Sequence, residues 1–225
     1  MKKLILLLTV ISISIISCKN ETKPTTSTPE AKDSVKVVDN TKLGIDINSN
    51  PQGLAVGTQV PELTFTLANG STQTLKDLYT AQPIVVFFYR GYWCPVCNKH
   101  LSALTKQVEA IESKGVKLIA ITPETYENVE KTREQTGANF TIVSDPDNNA
   151  MIAFGVNFNV TETYQKMIQD HLKASIKMTN GATEAILPVP ATYIIDTTGK
   201  IVYRQFNPNY KDRASVDDIL ANLPK

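Results

Sequence analysis

Apolar positions change their period along this chain, and each change predicts a new element. Leu63, Phe65 and Leu67 alternate with polar residues, Asn69-Gly70 follows, and the chain returns from Ser71 to Leu75. That pattern predicts an N-terminal β-hairpin. Leu75 to Tyr79 reads as a short helical turn before Pro83, and Ile84 to Tyr89 is an unbroken apolar and aromatic run, as in a strand covered on both faces. From Cys97 the apolar positions continue at Leu101, Leu104, Val108 and Ile111, which lines one face of a helix up to Gly115. Val116 to Ile121 predicts the next buried strand, Pro123 to Thr136 an exposed helix closed by Gly137, Phe140 to Val143 a third strand, and Asn148 to Phe154 a short helix. Residues 158–187 are polar and helical in pattern, most clearly from Thr161 to Ala174, with no strand expected. Ala191 to Asp196 and Lys200 to Gln205, joined by Thr197-Thr198-Gly199, predict a hairpin, and Ser215 to Leu223 a terminal amphipathic helix. The order βαβαβ, then hairpin and helix, predicts an α/β fold with a mixed central sheet flanked by helices.

The N-terminal region follows other rules. Lys2 and Lys3 precede an apolar stretch from Leu4 to Ile16, too short to span a bilayer comfortably and suited to a signal peptide. It ends Ile15-Ile16-Ser17-Cys18, which resembles a bacterial lipobox. By that resemblance 1–17 is a lipoprotein signal peptide, Cys18 is the lipidated first mature residue, and the protein sits lipid-anchored in the cell envelope, on the periplasmic side of the inner or outer membrane. An ordinary cleaved signal is the alternative, but it would leave a free, exposed thiol in an oxidising compartment. Residues 18–52 are rich in Thr, Lys, Ser, Pro, Asn and Asp without sustained periodicity and are expected to form a flexible tether. The folded domain is expected over 53–225.

Composition narrows the function. With 225 residues, 42 % hydrophobic, the chain can bury one sizeable core. Its 23 basic and 22 acidic residues become 21 and 22 once Lys2 and Lys3 are removed, which gives no footprint for nucleic acid. Three cysteines, one of them near the start, exclude a disulfide-built scaffold.

The chemistry is carried by Cys94-Pro95-Val96-Cys97, placed where a buried strand runs into a helix. Pro95 fits the first helical turn. Free N–H groups and partial positive charge at a helix start stabilise a thiolate, the reactive form of cysteine. A second thiol three residues on can capture the oxidised first sulfur, giving a reversible two-electron couple with no metal or organic cofactor. Zinc would need four ligands, and the folded region adds only His100 and His171, neither at a second-pair spacing. A structural disulfide across two residues would constrain very little chain. Redox chemistry is the favoured reading.

Trp93-Cys94-Pro95-Val96-Cys97 after a buried strand resembles the active site of the thioredoxin superfamily, and Pro190 before Ala191 to Asp196 resembles that superfamily's cis-proline, the alternative being a trans proline that starts a strand. The hairpin, Phe87-Phe88-Tyr89-Arg90-Gly91, the Cys pair, Leu187 to Asp196 and Gly199 together resemble the peroxiredoxin-like branch, the alkyl hydroperoxide reductase and thiol-specific antioxidant family, over roughly Gly53 to Leu223. The resemblance implies a thioredoxin-like fold with a helical insertion before the cis-Pro strand. It also implies a peroxidase that reduces hydrogen peroxide and organic hydroperoxides and is itself reduced by a thioredoxin-like external dithiol. Two departures stand out. Against the usual Pro-x-x-x-Thr-x-x-Cys, this chain has Arg90, Cys94 and Cys97, and where an arginine usually opens the Ile-Ile-Asp strand it has Pro190. Alignment favours Cys97 as the attacking sulfur; the thioredoxin pattern, with its exposed first cysteine, and the missing Thr and Arg favour Cys94. Arg90 is a candidate compensating charge or a solvated surface residue, Trp93 a shield for the site, and His100, one helical turn beyond Cys97, a group that tunes it or, the favoured reading, an exposed helix histidine. Two other functions compete: a protein thiol-disulfide oxidoreductase of the envelope, and a lipid-anchored binding module whose cysteines are dispensable.

Overall fold

The computed structural model describes residues 40–224; the predicted signal peptide, Cys18 and the first part of the tether lie outside the described residues. The hairpin is present as β1 (Thr64–Thr66) and β2 (Thr72–Thr74). It leads into α1 (Leu75–Ala81), where Thr74 and Asp77 form a reciprocal capping box. β3 (Ile84–Phe88) enters α2 (Pro95–Glu112) through the loop that carries the first cysteine. β4 (Lys117–Thr122), α3 (Tyr126–Thr136), β5 (Thr141–Ser144) and α4 (Asn149–Ala153) follow, with Gly137 closing α3 in the left-handed conformation. Then come β6 (Asn157–Asn159), α5 (Glu162–Leu172), α6 (Ile176–Asn180) and β7 (Ile186–Pro188). β8 (Thr192–Ile195), β9 (Ile201–Gln205) and α7 (Val216–Ala221) complete the domain.

The five-stranded sheet runs β5-β4-β3-β8-β9. β3, β4 and β5 are parallel, while β8 and β9 are antiparallel to their neighbours. The period of two divides β3 between two cores. Val85, Phe87 and Tyr89 face α2 with Leu101, Leu104 and Ile111, whereas Ile84, Val86 and Phe88 face the hairpin, α1 and α4 with Leu75, Leu78 and Phe154. Both faces are covered, so the strand reads as continuously apolar.

Four expectations are corrected. The insertion is not free of strands, because β6 and β7 pair antiparallel at its ends, with Phe158 opposite Leu187. These strands hide from a pattern search: Asn157 and Asn159 are polar, and β7 ends in Pro188. Residues 40–52, assigned to the tether, pack on the domain. Ile45 is buried and bridges Val160, and Ser49 Oγ accepts from the Asn159 N–H at 3.0 Å. The polar residues that mimic a linker are here forming turns, as where Asp46 accepts from the Asn48 N–H. The α3 helix is only half exposed, since Asn128, Val129, Thr132 and Thr136 are buried.

Pro190 is not a cis-proline. Among the described residues every peptide bond is trans. Val189 N–H donates to Val156 O at 2.7 Å and Ala191 O accepts from Phe88 N–H at 2.9 Å, so the chain runs extended from β7 into β8. A trans bond suits that path and is the lower-energy isomer.

Candidate functional site

The site is built on the end of β3. Tyr89 N–H still reaches Ile121 O at 3.0 Å, after which Arg90-Gly91-Tyr92-Trp93 forms a loop that delivers Cys94 to the start of α2. At Gly91, with φ +154°, a Cβ would lie 2.5 Å from Trp93 Nε1 and 2.6 Å from Glu124 Oε1. Only glycine lets the loop close so tightly over these groups.

Cys94 is the N-cap of α2, its Sγ accepting from the Cys97 N–H at 3.2 Å, and Pro95 occupies the first turn as predicted. The two cysteines form a disulfide, with Cα atoms 5.2 Å apart. Both are buried, at 0 % and 1 % exposure, so the first cysteine is not the exposed one that a thioredoxin pattern suggests.

A guanidinium addresses each sulfur. Arg90, 3 % exposed and therefore no surface residue, donates from Nη2 to Cys94 Sγ at 3.1 Å and from Nη1 to Tyr164 Oη at 2.8 Å. Its Cζ lies 3.8 Å from the Tyr210 ring centroid and 5.5 Å from that of Trp93. Arg213, just before α7, donates from Nη2 to Cys97 Sγ at 3.4 Å and from Nε to Tyr210 O at 2.7 Å. Burial and the neighbouring Arg90 pull the Arg213 pKa down to about 9, which still leaves it a cation near neutrality.

A half-buried histidine and a buried carboxyl also support the site. His100 is no exposed helix residue: Nε2 meets Ala214 O at 3.0 Å, and the ring stands edge-on to Phe87 at 5.7 Å. Burial, then Arg213, lowers its pKa to about 4, so it is neutral and Nε2 carries the proton it donates to Ala214. Glu124, fully buried after β4, accepts the Tyr92 N–H at 3.0 Å on both oxygens and a bond from Thr132 at 3.4 Å. Desolvation raises its pKa to about 8.

Thus the structure gathers Arg90, Trp93, Cys94, Pro95 and Cys97 in one place. Trp93 is 5 % exposed, with its indole N–H unpartnered, and Pro190 lies in the link from β7 to β8 beside the end of β3. Arg213, Tyr164, Tyr210 and Glu124 escaped the sequence reading. The one local signal is the Ser215-x-x-Asp218 capping box, which starts α7 and puts Arg213 just ahead of it. From Tyr92 a groove of about 530 Å³ opens between α3 and the insertion, walled by Asn128, Lys131, Ser175 and Met178. Among the described residues no group of His, Cys, Asp or Glu is placed to hold a metal ion.

Residues 56–204 match the AhpC/TSA family. The chain belongs to the AhpC/TSA family. It is accordingly a thiol-dependent oxidoreductase of the peroxidase kind. The peroxiredoxin Bcp of Escherichia coli is 26 % identical over 103 residues, 46 % of this chain and 65 % of that one. The thiol-disulfide oxidoreductase ResA of Geobacillus thermodenitrificans is 25 % identical over 164 residues, 71 % of this chain and 76 % of that one. In fold, this AhpC/TSA member resembles reduced Prx3 of Vibrio vulnificus, crystallised with hydrogen peroxide, at a TM-score of 0.59 and 17 % identity, covering 75 % of this chain and 97 % of that one.

Proposed function

We propose that this chain is a thiol peroxidase of the cell envelope that reduces hydrogen peroxide and organic hydroperoxides through Cys94 and Cys97. The observation that carries this reading is the guanidinium within hydrogen-bonding distance of each buried sulfur at the start of α2. A cation and a helix-start N–H at Cys94 Sγ stabilise its thiolate, so Cys94 is assigned the attack. Its thiolate attacks the distal peroxide oxygen, an S–O bond forms as the O–O bond breaks, and the alkoxide or hydroxide leaves as alcohol or water after taking up a proton. The resulting sulfenic acid is attacked by the Cys97 sulfur, water leaves, and the disulfide forms. A thioredoxin-like dithiol then returns two electrons by exchange.

Single substitutions test the assignment. With dimedone and one equivalent of peroxide, Cys97→Ser is expected to trap a sulfenic acid on Cys94; trapping in Cys94→Ser alone reverses the roles. Trp93 is the one tryptophan of the chain and lies against Arg90, so its fluorescence reports oxidation in stopped flow. The lipid anchor at Cys18 belongs to this proposal as well. Mass spectrometry of the mature N-terminus checks it, and an unmodified Cys18 refutes it.

The likeness to a thiol-disulfide oxidoreductase supports a second reading, exchange with envelope protein disulfides. It predicts fast exchange with a protein disulfide and oxidation by stoichiometric peroxide that is slow by comparison.

A further inference from the structure

Among the described residues, neither guanidinium at the cysteine pair has a carboxylate partner. Arg90 bonds only to Cys94 Sγ and Tyr164 Oη, stacks on Tyr210, and keeps a buried Nε with no partner. Arg213 bonds to Cys97 Sγ and to a backbone carbonyl. The ion pairs found among the described residues lie elsewhere, on α3 and α5. Glu124, the buried carboxyl of the neighbouring loop, is occupied by Tyr92 N–H and Thr132. Arg90 is buried and Arg213 half-buried, the two are close enough for Arg90 to depress the Arg213 pKa, and in the disulfide state no carboxylate among the described residues pairs with either. Burial of a charge without a partner is strongly unfavourable, and the disulfide state bears that penalty. Reduction places negative charge where both groups already point.

We propose that the reduced cysteine pair is the counter-ion of Arg90 and Arg213, which makes Cys94–Cys97 an oxidising couple able to take electrons from protein dithiols of weak reducing power. The step balances as thiol-disulfide exchange. A thiolate of the donor attacks one sulfur, the Cys94–Cys97 bond breaks, and a mixed disulfide forms. The donor's second thiolate then attacks that mixed disulfide and releases the pair. The donor ends as a disulfide and two electrons reside on the pair. Of the donor's two thiol protons, one stays on the second sulfur and one goes to solvent, because one cysteine remains a thiolate beside the guanidiniums.

This inference rests on the redox reading of the pair and not on peroxide turnover. The test equilibrates the full chain with glutathione buffers and reads the oxidised fraction by thiol alkylation. Glutathione itself takes up two protons with two electrons near pH 7, so its equilibrium with the pair changes tenfold per pH unit, about 30 mV, if the pair takes up one proton, and does not change if the pair takes up two. The wild type is expected to follow the tenfold slope near pH 7. Arg213→Gln is expected to shift the equilibrium about tenfold towards the disulfide, about 30 mV more negative, and Arg213→Lys by less. A pH-independent equilibrium in the wild type, or a shift below threefold in Arg213→Gln, overturns the proposal. Should the variant fail to fold, urea unfolding of the wild type decides: the reduced form is expected to be the more resistant, and a more resistant disulfide form, as a cross-link alone dictates, refutes it. A shifted equilibrium without peroxide turnover would remove the peroxidase reading and leave this one in place; normal turnover with an unshifted equilibrium would do the reverse.

Discussion

Glu124→Gln probes the buried carboxyl that holds the redox loop. The Glu124 pKa is raised from 4.5 to about 8, chiefly by desolvation, so the folded protein keeps a proton there that the unfolded chain releases. Stability from such a group is fully present below the unfolded value and declines as pH rises towards the folded one, by about 1.4 kcal/mol per pH unit. His100 acts in the opposite sense. Its pKa falls from 6.5 to about 4, so across that interval stability rises with pH and masks the Glu124 effect. Asp145, raised to about 6, also titrates mostly below that point. The clean window is therefore pH 6.5 to 8, in which Glu124 alone removes about 2 kcal/mol from the disulfide form. With a urea dependence of about 2 kcal/mol per molar, the midpoint should fall by about 1 M across the window. Gln keeps an acceptor for the Tyr92 N–H and has no proton to lose, so the variant should show a flat profile and be the more stable protein at pH 8. The assay is urea unfolding of both oxidised proteins at several pH values. A Glu124→Gln midpoint that tracks the wild type through the window would refute the reasoning.

Three other substitutions follow from the same contacts. Gly91→Ala forces a methyl against Trp93 and Glu124 and should cost about 2 kcal/mol or more by denaturant titration, with an altered Trp93 emission. Tyr164→Phe removes the acceptor of Arg90 and should cost about 1.5 to 3 kcal/mol while slowing Trp93-detected oxidation. His100→Phe preserves an edge towards Phe87 but drops the bond to Ala214. Its stability relative to the wild type should rise as pH drops from 6.5 to 4, because the group whose pKa is depressed in the folded state is gone.

What sequence could reveal follows the range of each interaction. Ile84 to Tyr89 was legible because both faces of β3 are buried, and the face of α2 because Leu101, Leu104, Val108 and Ile111 share one core. The cysteines and Arg90 were legible as neighbours on one loop. Arg213, Tyr164 and Glu124 were not, since tertiary packing alone brings them in; Tyr164 meets Arg90 across 74 residues of chain. The packing of residues 40–52 depends likewise on Val160 and Asn159, far along the sequence. Pro190 was misread because a proline ahead of a strand has the same letters whichever isomer precedes it.

The β6–β7 pair has a consequence for descent as well as for shape. Asn159 and Ile186 face each other across a ladder, so the segment between them leaves and re-enters the domain at one point. Lengthening such a closed segment is thermodynamically mild, about 0.6 kcal/mol for each doubling, and leaves β8 undisturbed. The segment nevertheless carries Tyr164 to Arg90. Insertions and deletions here can therefore retune the charge beside Cys94 without rebuilding the sheet, which makes this a natural point of divergence among related chains.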